Sequence, residues 1–317
     1  LNKMLKEIFI TPEVFLKSNM SVNNFYNLKS LLENIKNGGF VLSLENKDWI
    51  KYVLSNISSC IPQHRDLLSK LISHLKDRER IEFQPKIGIE PQTEDDWLKI
   101  AQNINSIKRI NSIFSNKATD YTLTLNHLDS IDLVNEYGYN GSIKRVKTEK
   151  ELEKIFSILV AYAKKVTIID PYFYLHTPRY KVSLEIIAKN FGERRNNKIC
   201  GNIIIHCRFQ ENEYGNFKNK LKKWQEVCNF IYSKYGHIIT IFVWKEKIGN
   251  IKMHDRYLIT NQVGLLVAAG LDKDDNQESE FSLKLYEELS NITSPFDRNN
   301  PLFDLAFEVT SSSIKTY

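Results

Sequence analysis

The chain has 317 residues, 42% of them apolar and 26% charged, with a formal net charge of +6. This length fits one large domain or two ordinary ones with full cores, and the composition is that of a soluble globular protein. No apolar run reaches the ~18 residues of a membrane span, four cysteines make no disulfide framework at this size, and the mild positive charge permits a polyanionic partner without demanding one.

Leu1-Asn2-Lys3-Met4 lacks the apolar core of a secretory signal, so a cytoplasmic location is the default expectation. Lys6 to Ile10 reads as a short strand, ended by Thr11-Pro12 because proline cannot donate to a ladder. Apolar residues at helical spacing predict a helix over Phe25 to Lys36, stopped at Gly38-Gly39. Phe40 to Leu44 reads as a strand, Trp49 to Ile57 and Arg65 to Leu75 as helices, and Glu82 to Thr93 as a loop. Asp96 to Ser106 reads as a helix with a capped start at Thr93-Glu94-Asp95-Asp96, and Ile110 to Phe114 as a strand. The polar, irregular stretch from Asp120 to Val146 marks a domain boundary.

Beyond it, Thr148-Glu149-Lys150-Glu151 matches a capping box ahead of a helix from Leu152 to Tyr162. Strands are expected over Val166 to Ile169, Asn202 to Ile205, Ile238 to Trp244, Tyr257 to Thr260 and Gly264 to Ala268. Helices are expected over Val182 to Phe191 and Phe217 to Tyr235. The alternation predicts a largely parallel sheet covered by helices. Cys200, His206 and Cys207 cluster in sequence, but with no CxxC pair they read as buried thiols rather than zinc ligands.

His254 and Arg256 stand just ahead of a strand, where α/β folds place active-site groups. Two apart in extended chain, they would share a face, with Asp255 turned toward the scaffold. A histidine beside a fixed cation suits phosphate chemistry: the imidazole attacks phosphorus or gives a proton, and the guanidinium holds phosphoryl oxygens. His206-Cys207-Arg208 is a second His-x-Arg at a strand end. His176, in the loop after Asp170-Pro171-Tyr172, is a third candidate to line the site.

Ile168-Ile169-Asp170-Pro171-Tyr172-Phe173, then His254-Asp255-Arg256-Tyr257-Leu258-Ile259, then Ala269-Gly270-Leu271-Asp272, resembles the phospholipase D superfamily over roughly Thr148 to Glu288. The likeness is nearest to the non-catalytic branch at the C-terminus of MIT-domain proteins, which carries His-Asp-Arg followed by Gly-Leu-Asp. That resemblance implies a phosphodiesterase site made of His254, Arg256, Asn261 and Asp272, with His176, His206 and Arg208 as substrate contacts and no cofactor. Arg256 stands where the superfamily has lysine, Asn261 where it has aspartate, and Ala268-Ala269 where it has a small Gly-Ser pair. The superfamily reaction uses two histidines, so an active form implies a homodimer that pairs two copies of His254. The non-catalytic branch implies membrane association and dimerisation instead.

In the N-terminal half, Ile8-Phe9-Ile10-Thr11 and Thr93-Glu94-Asp95-Asp96 resemble the first strand and the late acidic helix start of PIN-like ribonuclease domains. That resemblance implies Mg²⁺ or Mn²⁺ held by Glu45 (with Asp48 nearby), Asp95 and Asp96. Thr11 occupies the position of the first aspartate, and the helix dipole gives the acidic start a purely structural reading.

The sequence therefore predicts an α/β chain. A mostly helical α/β domain over residues 1–125, which resembles PIN-like domains, precedes a phospholipase D-like α/β sandwich domain over 148–317. Two functions are expected of it. One is a nucleic-acid phosphodiesterase, acting on DNA or RNA as a homodimer through His254 and Arg256; a role in phage defence would fit it. The alternative is a non-catalytic phosphate-reading module that binds nucleic acid or an anionic membrane and a protein partner.

Overall fold

The computed structural model describes residues 4–44, 48–84, 90–107, 110–130, 141–195, 200–210, 214–247, 252–299 and 301–317. It is mixed α/β and divides into two compact units, Leu1–Asn140 and Gly141–Tyr317.

The first unit is built on a parallel sheet of four strands in the order β3-β2-β1-β4. They are β1 (Lys6–Ile10), β2 (Gly39–Leu44), β3 (Ile81–Gln84) and β4 (Ser112–Phe114). Helices α1 (Val22–Gly38), α2 (Asp48–Ser58), α3 (Pro62–Asp77) and α4 (Glu94–Ile107) supply the connections that parallel pairing demands. β2 is buried at all six positions, which explains why it reads as a continuous apolar run rather than an alternating one. Ile8, Phe9, Phe40, Leu42 and Trp49 are fully enclosed, each such side chain contributing about 1.5–3 kcal/mol of hydrophobic stabilisation. The loop expected from Glu82 onward begins later: residues 81 to 84 pair with β2. A four-residue strand at a sheet edge carries too little periodicity to stand out.

The second unit contains one sheet of nine strands in the order β13-β12-β8-β7-β6-β9-β10-β11-β5. In chain order its elements are β5 (Ser142–Lys147), α5 (Glu149–Val160), β6 (Lys165–Ile169), α6 (Pro178–Asn190), β7 (Asn202–Arg208), α7 (Tyr214–Tyr235), β8 (Ile238–Lys245), β9 (Tyr257–Thr260), β10 (Gly264–Val267), β11 (Asp274–Lys284), α8 (Leu289–Thr293), β12 (Asp304–Thr310) and β13 (Ile314–Thr316). The Thr148 hydroxyl accepts the N–H of Glu151 at 3.3 Å and fixes the start of α5.

The expectation of a largely parallel sheet needs correction. Parallel pairing holds for β6, β7 and β8, whereas β9, β10, β11, β5, β12 and β13 all join antiparallel. The chemical reason lies in the connections. Asn261 to Val263 is a tight turn, closed by Thr260 and Val263, and no crossover fits in it.

This topology positions the site. The C-terminal ends of β6, β7 and β8, the start of β9 and the end of β10 all meet one edge of the sheet, as the pairing of Ile169 with Tyr257 and of Tyr257 with Leu266 requires.

Candidate functional site

Asp170 leaves the end of β6 and is fully buried. Its Oδ1 accepts the N–H of Tyr172 at 2.9 Å and its Oδ2 accepts the N–H of Leu271 at 3.1 Å. Burial pushes its pKa up to about 6, against the pull of those two N–H groups and the nearby Arg256. The carboxylate therefore clamps the turn after β6 to the turn after β10.

Gly270, in that second turn, has φ of +96°. A Cβ there would lie 3.0 Å from Asp272 Oδ1 and 3.7 Å from both Arg256 Cδ and Asp170 Oδ2. Glycine allows the backbone to pass between these three side chains.

Asp272 is buried too, and Lys147 Nζ donates to it at 2.8 Å and to the Ala269 carbonyl at 3.1 Å. Lys147 is entirely enclosed. Arg179, from the first turn of α6, reaches Asp272 at 3.2 Å and Asp274 at 3.5 Å. Arg256 donates to the Ala268 carbonyl at 2.7 Å, and its guanidinium lies 5.5 Å from the centre of the Tyr172 ring. Arg208 approaches the same ring at 5.0 Å, donates to the Tyr172 hydroxyl at 3.1 Å and pairs with Glu246.

Between these groups opens a polar cleft of about 640 Å³, lined among others by Tyr172, Tyr180, Arg179, Arg256, Asn276 and Gln277. A guanidinium carries five N–H donors. Arg256 spends one of them on the Ala268 carbonyl.

His254 lies elsewhere. Its imidazole is 85% exposed, with Nδ1 3.1 Å from Asp255 Oδ1. The Tyr257 hydroxyl donates to the other oxygen of Asp255 at 2.9 Å. The His254 hydrogen bond lowers the Asp255 pKa, helped by Tyr257 and opposed by burial. His254 lines a second cleft of about 400 Å³ floored by Met253, Phe296 and Phe303, and Arg256 is not part of that lining. β9 begins at Tyr257, and the Arg256 carbonyl just ahead of it still accepts the Val267 N–H at 2.9 Å.

No family model and no curated protein matches this chain. The geometry of the clefts therefore carries the functional reading.

The remaining sequence candidates fall in other places. Asn261 follows the far end of β9, where its Oδ1 accepts the N–H of Lys164 at 2.8 Å. Five strand rises from Arg256, roughly 16 Å, put it at the opposite edge of the sheet. His206 is core: buried, it takes a hydrogen bond from Trp244 Nε1 at 3.0 Å and stacks on Phe242 and Phe296. Burial lowers its pKa to about 3, so it stays neutral. His176 accepts from Trp224 Nε1 at 3.1 Å and stacks on that indole. Arg208 does flank the cleft, through Tyr172. Of the cysteines, Cys60, Cys207 and Cys228 are buried, but Cys200 is exposed, contrary to the buried-thiol reading.

In the first unit, Glu45 lies outside the described residues, and Asp48 opens α2. Asp96 accepts the Thr93 hydroxyl at 2.8 Å and the Thr93 and Gln92 N–H groups, while Thr93 Oγ1 accepts the Asp96 N–H. It is a helix cap, held below the ordinary carboxylate pKa by the Thr93 hydroxyl first. Asp95 is tied to Lys117 at 2.6 Å. Among the described residues, no group of three or more His, Cys, Asp or Glu is arranged to hold a metal ion. Of the ligands that the PIN-like resemblance implies for Mg²⁺ or Mn²⁺, Asp95 is paired with Lys117 and Asp96 is engaged in its helix cap. No described helix is long and apolar enough to cross a membrane.

Sequence reasoning missed Arg179 and Lys147. Arg179 follows Pro178 at a helix start with no motif around it. Lys147 looks like one more solvated lysine in a polar stretch. Only three-dimensional pairing with Asp272 distinguishes either.

Proposed function

We propose that the second unit is a phosphate-reading module that binds single-stranded nucleic acid in the Arg179/Arg256 cleft without cutting it. One observation carries this reading: Arg256 and His254 line different clefts. Phosphoryl attack needs nucleophile and phosphorus about 3–3.5 Å apart, with the cation on the same phosphate. A cleft that combines guanidinium groups, tyrosines and side-chain amides suits a backbone phosphate with a neighbouring base. Arg179 is already part-neutralised by Asp272 and Asp274, so Arg256 is the main phosphate contact.

The test is fluorescence anisotropy with labelled single-stranded DNA and RNA, across a salt series. Binding should weaken with salt. Arg256→Ala should lower affinity about tenfold, and His254→Ala by less than twofold. Tight binding of anionic vesicles with none of oligonucleotides would move the reading to a membrane surface.

A second reading, the phosphodiesterase acting as a homodimer, draws on the His254–Asp255 contact. That contact orients the ring and leaves Nε2 open to attack phosphorus. Cleavage in EDTA that is lost in His254→Ala would favour it over the binding module.

A further inference from the structure

One corner of the first unit gathers acid groups from separate segments. Glu13 follows β1 in the short turn Pro12–Phe15, and Glu94 and Asp95 open α4. Glu94 is 2% exposed. Its Oε1 accepts three hydrogen bonds, from the Thr11 hydroxyl at 2.7 Å, the Ser115 hydroxyl at 2.6 Å and the Asn116 N–H at 2.9 Å. Its Oε2 is buried and has no hydrogen-bond partner among the described residues. A buried acceptor left in this way is costly unless positive charge lies near.

The carboxyl of Glu13 is close enough to Glu94 to feel its charge. Burial first, and the charge of Glu94 second, hold its pKa above the ordinary value. The corner thus carries more negative charge than its own hydrogen bonds offset.

Lys117, in the loop after β4, faces that charge. Its ammonium lies 2.6 Å from Asp95 Oδ1 in an exposed pair, and the charges of Glu13 and Glu94 act on it from further away. We infer that Lys117 is the resident cation of this corner, standing where a divalent metal ion would otherwise be needed, and that the unit holds its carboxylates together without metal. The donor geometry agrees with this: Glu94 Oε1 is already saturated, and Asp96 is turned away into its cap. The inference is independent of the ligand of the second unit.

The experiment is NMR on the full chain. Mn²⁺ is added to the wild-type protein and the Ser115 and Asn116 amide resonances are followed, since a paramagnetic ion at the corner broadens them. Glu13 is then titrated in the wild type, Lys117→Met and Lys117→Arg. The expected result is no selective broadening, a Glu13 midpoint that moves further up in Lys117→Met, and a return toward the wild-type midpoint in Lys117→Arg. Selective broadening at low Mn²⁺ would overturn the inference, and so would a Glu13 midpoint indifferent to Lys117.

Discussion

Replacing Lys147 by methionine tests how the candidate cleft is held together. The side chain is fully buried, as is that of its partner Asp272, and the pair is 2.8 Å apart. Removing the ammonium leaves a buried carboxylate facing one remaining cation, Arg179, which is about half exposed. The Ala269 carbonyl also loses its donor. Breaking one side of a buried pair costs roughly 3–5 kcal/mol, and the surviving contact to Arg179 places the expectation near the low end, about 3 kcal/mol. For a unit of this size that lowers Tm by about 6–12 °C. Urea unfolding at pH 7, followed through amide resonances of the β6–β8 core, measures it. The double variant Lys147→Met/Asp272→Leu removes both charges and should recover most of the loss, because a well-packed apolar pair replaces an ion pair at little cost. A loss under about 1 kcal/mol in the single variant, or a double variant no better than the single, would refute the reasoning.

Three further outcomes follow from the same groups. Asp170 should titrate near pH 6 by carbon-detected NMR; a midpoint below 4.5 would mean its site is wetter than the geometry implies. Its pKa is raised on folding, so its contribution to stability is full below about pH 4 and is lost as pH rises through 6, a difference of roughly 3 kcal/mol. His206 behaves in the opposite sense: with a folded pKa lowered to about 3, its contribution is full above pH 6.5 and fades as pH falls toward 3. The imidazole should show no protonation shift between pH 8 and 5, and a midpoint near 6 would contradict its burial. Gly270→Ala should destabilise the second unit by about 2 kcal/mol through backbone strain, with the new Cβ 3.0 Å from Asp272; unchanged denaturation would show that the turn can relax.

Much of the secondary structure is legible in the residues. The run from Lys6 to Ile10 and the helix stopped near Gly38-Gly39 lie close to where periodicity and glycine put them. Thr148 caps its helix as its capping-box pattern suggests. What escapes the sequence is sheet edge and pairing. β5 alternates exposed and half-buried positions, and its one buried residue is Lys147 rather than an apolar one, so it reads as irregular chain, and β11 to β13 carry no motif that announces antiparallel addition. The candidate site is legible only in part. Asp170, Gly270, Asp272 and Arg256 do converge. That His254 and Arg256 line different clefts depends on the loop ahead of β9, and the place of Asn261 depends on strand direction. Neither is written in residue spacing. His206 was an attractive His-x-Arg by pattern, but a buried aromatic cluster claims it.

The most direct test of the central claim is one titration of labelled single-stranded RNA and DNA against wild type, Arg256→Ala and His254→Ala, in EDTA, with the oligonucleotides run on a gel afterwards. The account predicts salt-sensitive binding by the wild type, about tenfold weaker binding by Arg256→Ala, nearly unchanged binding by His254→Ala, and intact oligonucleotide in every lane. Cleavage by the wild type that disappears in His254→Ala would contradict it, as would binding that ignores Arg256.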